Sequence, residues 1–254
     1  MTGALRAYEH WVVSYKRLWR ASIVSSILNP VLYLAALGIG LGKLVNHGAH
    51  PLGVSYVTYV APGMLVAAGM NIAAFESTWP VMAAIKWTRV YHAMLAAPLR
   101  VLDVLLGHQL YVASRVATST GLYLIALAAF GTLHSPYAPL AWPVAILVGV
   151  AFSAPLAAFA AWAPKDSYLA AVFRFFVVPL FLFSGTFFPV TRLPEGLRQL
   201  AYATPLWHGV DLARHLTLGT VTWGMALVHV VYLVAFTAVG LWFAERAYVK
   251  KLVR

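Results

Sequence analysis

The chain has 254 residues, of which 62% are hydrophobic and only 10% charged, a balance too apolar for a soluble globular domain. It has no cysteine, which excludes a disulfide framework, a thiolate metal site and a cysteine nucleophile. The net charge of +11 does not indicate nucleic acid, because the basic residues gather at the ends of apolar runs instead of covering one face of a soluble fold. The expected class is an all-α, polytopic membrane protein.

Residues 1–20 spread charges and bulky aromatics along their length, with no short apolar core before a small-residue cleavage site, so they do not describe a signal peptide. On a helical wheel Ala4, Tyr8, Trp11, Tyr15, Leu18 and Trp19 fall together, opposite Arg6, Glu9, Lys16, Arg17 and Arg20. Aromatics on one face and basic residues on the other predict a helix in the headgroup region, pinned to the anionic leaflet.

Six apolar runs follow, at about 21–44, 56–78, 104–133, 141–163, 168–189 and 222–244. Each is near the ~20 residues that a bilayer core requires. In the third, Arg115 is an alternative place for the helix to meet the membrane. With the N-terminus inside, only Lys43, Arg192, Arg198 and Arg214 fall on the outer side. Both termini are therefore expected to be cytoplasmic. In the first run, Gly38 and Gly42 make a Gly-x-x-x-Gly pair suited to close helix packing or present by chance.

The stretch 79–108, WPVMAAIKWTRVYHAMLAAPLRVLDVLLGH, is a polar interruption on the cytoplasmic side. Pro80 suits the first turn of a helix, and Pro98 predicts a stop near Ala97. Ala83, Trp87, Val90, Tyr91 and Met94 fall on one side, with Lys86, Thr88, Arg89 and His92 on the other. This is an amphipathic pattern, broken by Ile85 among the polar residues.

On the outer side, 47–55 and 134–141 are short connectors, whereas 190–221 is longer and too polar to span. Leu193, Leu197, Leu200 and Ala201 recur at helical spacing, as do Leu206, Val210, Ala213 and Thr217 after Pro205. Two short amphipathic helices at the outer membrane face are predicted. Just before them, Ser184, Gly185 and Pro189 in FLFSGTFFPV loosen the end of the fifth run, which requires protein or water around the freed backbone.

Few constellations carry chemistry. GIGLGKLV at 38–45 fails as a phosphate loop, because its first glycine is one residue late and Leu44 replaces the magnesium-binding hydroxyl. His208, Asp211 and His215 share a helix face, but without a further ligand surface hydrogen bonding is preferred to metal binding. No Gly-x-Ser-x-Gly or His-Glu-x-x-His pattern occurs, so no catalytic, metal or cofactor residue is assigned. Glu76 lies near the end of the second run, where a carboxylate costs less than at the bilayer centre. It either pairs with a neighbouring basic residue or headgroup, or forms a polar hinge to the amphipathic helix. Proton coupling has little support, since Arg115 and Arg174 lie near span ends and His229 is alone in the last run.

FESTW at 75–79 followed by AMLAAPLRVLDVLLGH at 93–108 resembles the cytoplasmic loop of type-2 ABC (ABC-2) transporter permeases. The subgroup most resembled contains nodulation lipo-oligosaccharide and daunorubicin-resistance exporters. FLFSGTFFPV at 181–190 and LPEGLRQLAYATPLWHGVDLAR at 193–214 resemble the signature before that family's last span. One departure is His108, which stands where the family pattern puts an acidic residue.

The resemblance implies one transmembrane unit over 1–254, with an interfacial helix at 1–20, a coupling loop at 79–103 and external re-entrant helices at 190–221. Met82–Ala97 would be the coupling helix, presenting Met82, Ile85, Lys86, Arg89 and His92 to a separate ATP-binding subunit. Glu76 would be the acidic residue ending the second span, and Trp11, Tyr15, Lys16, Arg17 and Trp19 would lie beside that subunit. Two ATP-binding subunits, carrying ATP and magnesium, would act with this chain and a second copy or homologue, surrounded by membrane lipid. The cargo would be amphipathic or hydrophobic: a drug, an antibiotic, a lipid or a lipo-oligosaccharide. Phe183, Ser184, Gly185, Phe187 and Phe188 are candidate path or gate residues, although packing against lipid and neighbouring helices explains the phenylalanines equally well. The alternatives are a non-transporting scaffold or assembly factor, and a proton-coupled transporter.

Overall fold

The computed structural model describes residues 2–16, 24, 28, 31–36, 40 and 53–253, and among these there are helices but no strand. Five helical segments are long and apolar enough to cross a membrane: Tyr56–Trp87, Val101–Ala129, Ala138–Trp162, Asp166–Phe183 and Trp223–Leu252. They overlap the second to sixth predicted runs, the first and last of them running on to Trp87 and Leu252, past the expected ends at 78 and 244. Of the predicted first run, residues 24, 28, 31–36 and 40 are helical. The rest of it, with Gly38, Gly42 and Lys43, lies outside the described residues, as do Arg17, Trp19 and Arg20.

The helices are α1 (Thr2–Tyr15), α2 (Tyr56–Glu76), α3 (Trp79–Met82), α4 (Val90–Ala96), α5 (Val101–Ala129), α6 (Ala141–Trp162), α7 (Asp166–Val172), α8 (Val178–Phe183), α9 (Glu195–Tyr202), α10 (Pro205–Leu218) and α11 (Trp223–Leu252). A π-helical turn, Phe173–Val177, joins α7 to α8. Over their most apolar stretches α2 and α6 are 78% and 67% buried, against 33%, 11% and 17% for α5, α7–α8 and α11. The first two therefore form the centre, and the others turn apolar surface outward, as helices do where lipid is the neighbour.

Small residues let the central backbones approach. A Cβ on Gly69 would lie 2.9 Å from the Ala145 carbonyl oxygen, and one on Gly240 would lie 2.8 Å from Pro155 Cδ. The apolar interior falls into two main clusters. One joins α2, α5, α6, α10 and α11 through Leu65, Met70, Leu127, Val148, Leu206 and Leu233. The other, through Met82, Tyr91, Leu105, Leu169 and Tyr248, ties α3, α4 and the facing ends of α5, α7 and α11 together. That end also carries Lys86, Arg89, Lys250 and Lys251, and is called the basic end below.

At the opposite end α10 is seated in the protein. Thr204 caps it by accepting a hydrogen bond from the Trp207 amide at 3.2 Å, and Gly219 ends it in the left-handed region at φ 76°. Leu206, Val210, Ala213 and Thr217, the predicted inward row, are all fully buried. The corresponding row on α9 behaves differently: Ala201 is buried, while Leu197 and Leu200 are exposed.

Candidate functional site

The polar interruption between the first two described spans folds into a broken helix at the basic end. α2 stops at Ser77 and Thr78, whose hydroxyls have partners: Ser77 Oγ meets Ser153 Oγ at 2.6 Å, and Thr78 donates to the Ala74 carbonyl at 2.8 Å. The chain restarts at Trp79 with Pro80 in the first turn, and Ala97 leaves the helix in an extended conformation just before Pro98. Both predicted boundaries are observed.

The interior is not one regular helix. Ala83–Trp87 is a π-helical turn, and Arg89 adopts the left-handed conformation (φ 52°) before α4 begins. A π turn adds a residue to the repeat and shifts the phase of everything after it. The wheel therefore misplaces two side chains. Trp87, expected on the apolar side, is 60% exposed, whereas Ile85 is buried among Val81, Met82, Tyr91 and Tyr248. Met82 is buried with it. Lys86 donates to the carbonyls of Ala163 and Pro164, tying the loop to the end of α6, where a cation also meets the helix dipole favourably. Lys86, Arg89, His92 and Lys251, with Ile85 and Pro164, line an open depression of about 500 Å³.

Beneath this loop sits an aromatic stack. Tyr91 Oη lies 2.6 Å from His108 Nδ1, Trp11 stacks on the His108 ring at 4.7 Å between centroids, and Tyr91 meets Tyr248 at 5.6 Å. His108 is completely buried, so its place is taken by a ring that packs rather than by a charge. The aromatic face of α1 is thus turned to protein: Trp11 also stacks on Tyr111, and Ala4 and Ala7 are buried. Lys16 is exposed beyond the end of α1.

Glu76 has a partner. Its Oε1 accepts from Arg115 Nε at 3.2 Å, and Arg115 Nη1 donates to the Tyr15 hydroxyl at 2.7 Å while its guanidinium lies 4.1 Å over the Tyr15 ring. One arginine therefore joins α1, α2 and α5. Of the roles open to Glu76, pairing with a neighbouring basic residue is the one the geometry contains. Sequence marked Arg115 only as a basic residue near a span end, and nothing in it singled out Tyr248 or paired Tyr91 with His108.

The candidate gate residues lie at the other end. α8 ends at Phe183, and Gly185 takes φ 84°, a conformation that suits glycine. Ser184 and Thr186 are buried, Phe187 meets Phe181 edge-on at 5.0 Å, Phe188 is half-buried and Phe183 is 41% exposed. Arg214 clamps this bend: it donates to the Gly185 carbonyl at 2.7 Å and the Tyr59 carbonyl at 3.1 Å, and stacks on the Tyr59 ring at 3.9 Å. Asp211 meets His215 at 3.7 Å and, from α11, His229 at 3.3 Å. Among the described residues no three histidine or carboxylate groups are set to hold a metal ion.

Comparison with known proteins decides what this assembly is. The pattern of the family described as "ABC-2 type transporter" matches residues 10–218. The chain belongs to the ABC-2 type transporter family. It is 32% identical over 216 residues to Nodulation protein J of Rhizobium leguminosarum bv. viciae, covering 85% of this chain and 82% of that protein. Nodulation protein J of Rhizobium meliloti (strain 1021) is 30% identical over 219 residues (86% and 80%), and that of Bradyrhizobium diazoefficiens is 28% identical over 217 (82% and 81%). The chain is thus a multi-pass membrane protein and a transport subunit of the ABC-2 kind rather than a catalytic one.

Proposed function

We propose that this ABC-2 chain is the membrane permease of an ATP-driven exporter, and that a separate ATP-binding subunit docks at its basic end. The observation that carries this reading is the depression between the broken coupling loop and the end of α11, lined by Lys86, Arg89, His92 and Lys251. It is concave, basic and built from two distant parts of the chain, so a partner seated there would feel both the loop and the last span. The chain has no phosphate loop of its own, so an energy source must come from outside. The basic end is assigned to the cytoplasm by the positive-inside rule, which puts both termini inside and α9 and α10 outside.

The unit over 1–254 acts with a second copy or homologue and two ATP-binding subunits. ATP binding draws those subunits together, the loop transmits the movement through α3 to α2 and through Lys86 to α6, and a path opens for an amphipathic cargo. A few kcal/mol of differential contact is enough to shift a two-state equilibrium of this kind. The cargo class is the one the family resemblance implies: a drug, an antibiotic, a lipid or a lipo-oligosaccharide.

Exposed Trp87, Arg89 and Lys251 give the test, because changing them leaves the core intact. Arg89→Glu combined with Lys251→Glu, and separately Trp87→Ala, are expected to lower co-purification of the ATP-binding subunit about tenfold, roughly 1.4 kcal/mol, at unchanged permease level. Undiminished recovery in both would remove the docking assignment.

A further inference from the structure

α10 and the last span are joined by a chain of hydrogen-bonding groups that the transport reading leaves unused. His208 Nδ1 on α10 lies 2.8 Å from His229 Nδ1 on α11, and His229 Nε2 lies 3.3 Å from Asp211 Oδ2. Both rings are buried, with His208 8% and His229 2% exposed. The His208 ring stacks on Tyr232 at 3.8 Å, and Tyr232 donates to the Ala203 carbonyl at 2.5 Å. Beside the chain is a cavity of about 140 Å³ lined by Asp211, His215, Thr222, Ala226 and His229, among others.

The partners assign the protons. A carboxylate only accepts, so His229 donates from Nε2 to Asp211; its Nδ1 is then an acceptor and takes the hydrogen of His208 Nδ1. One extra proton is tolerated, because either ring can be the donor of the shared bond. A second is not, because two N–H groups would then face each other across the 2.8 Å gap.

The charges around the chain keep it near neutrality. α10 supplies Asp211, Arg214 and His215, with His215 3.7 Å from Asp211 and 2.7 Å from Thr220 Oγ1. α11 supplies His229 and Tyr232, α2 supplies Tyr59 under Arg214, and α9 supplies the main-chain carbonyl of Tyr202, which accepts from the His208 ring and favours its protonated form. His134, in the connector before α6, lies 3.1 Å from the Thr132 carbonyl, and α6 has no titratable residue. Asp211 is held below the usual carboxylate range: burial pushes it up, but the His229 hydrogen bond, His215 and Arg214 outweigh that.

We propose that His208, His229 and Asp211 form an acid-released latch, closing α10 onto the last span near neutral pH and letting go when a second extra proton sets two N–H groups against each other across the shared His208–His229 bond. Burial, then the neighbouring His229, hold His208 down to about 4, from an ordinary value of 6.5. With the closed-state value depressed, the latch is at full strength above about 6.5 and weakens as pH falls toward about 4, because the open state binds more protons. Its position outside the cell rests on the sidedness proposed above, whereas the latch itself does not.

The absence of cysteine makes the latch directly readable. Ala226→Cys places a thiol in the cavity wall, and Gly196→Cys, where nothing lies within 4 Å of a Cβ, serves as an exposed reference. Both are labelled with a membrane-impermeant maleimide in the full complex, in right-side-out and inside-out vesicles. Taking the ratio of the two rates removes the pH dependence of thiol reactivity itself. From about pH 7.5 to about pH 5 the ratio is expected to rise about tenfold, and to do so still with His215→Gln. With His208→Gln or His229→Gln, tested separately so that one poorly inserted variant leaves the other decisive, it is expected to be independent of pH. A flat ratio in the parent, or an undiminished rise in either glutamine variant, would overturn the latch. A rise confined to inside-out vesicles would overturn the sidedness and leave the latch standing.

Discussion

Replacing Glu76 with alanine is expected to destabilise the protein by about 3 kcal/mol and to lower transport more than it lowers protein level. The carboxylate is the partner of Arg115, whose side chain is only 12% exposed and which is also bound to Tyr15. Removing one member of such a pair leaves the other charge desolvated, and that penalty exceeds the net value of the pair itself. The same reasoning gives a control. Adding Arg115→Met to Glu76→Met removes the orphaned charge and is expected to recover most of the lost stability, read as the unfolding midpoint in detergent. A Glu76→Ala protein with the wild-type midpoint would show that the pair does not bear on stability. Wild-type transport per molecule would show that joining α1, α2 and α5 at this point is unnecessary for coupling.

Gly107→Val is expected to lift α1 off the bundle. α1 runs beside the first half of α5, with Gly3 against Asp103, Ala7 against Gly107, Trp11 against Tyr111 and Tyr15 against Arg115. A Cβ at Gly107 would lie 2.5 Å from Ala7 Cβ, 2.7 Å from the Ala4 carbonyl and 2.9 Å from the Tyr8 amide nitrogen. Two of these neighbours are backbone, so the helix must move as a body instead of one side chain turning aside. Overpacking of this kind costs about 1–3 kcal/mol, and the stacking of Trp11 on His108 is lost with it. Trypsin cleavage at Arg6 and Lys16, both exposed, is expected to quicken severalfold in the variant. Gly224→Ala, with nothing within 4 Å of its Cβ, is expected to cleave as the parent does. Equal rates for Gly107→Val and the parent would mean that α1 is held by other contacts.

The broken loop between α2 and α5 separates what a sequence can carry from what it cannot. Pro80 and Pro98 fixed its ends correctly, because a ring that sets φ and removes a donor acts through its immediate neighbours. The face it presents was not legible. The π turn at Ala83–Trp87 and the left-handed Arg89 change the phase of the helix, and no periodic reading at 3.6 residues anticipates either. Ile85 is consequently part of the core. Ile85→Asp would place a carboxylate among Val81, Met82 and Tyr248 and report on folding, which is why the exposed Trp87, Arg89 and Lys251 are the informative positions for docking.

By itself the sequence determined the membrane class, the places of the apolar runs that overlap the five described spans, and the inward row of α10. Each depends on composition or on spacing within one helix, and hydrophobic transfer and proline geometry act at that range. Only the tertiary structure decided that Glu76 meets Arg115, 39 residues on, that Arg115 meets Tyr15, 100 residues back, and that His208 faces His229. These are pairings of polar groups between helices that lie far apart along the chain. In an interior with few such groups, each must find its partner wherever packing brings one within about 3 Å, and that position is set by the whole bundle instead of by any local pattern.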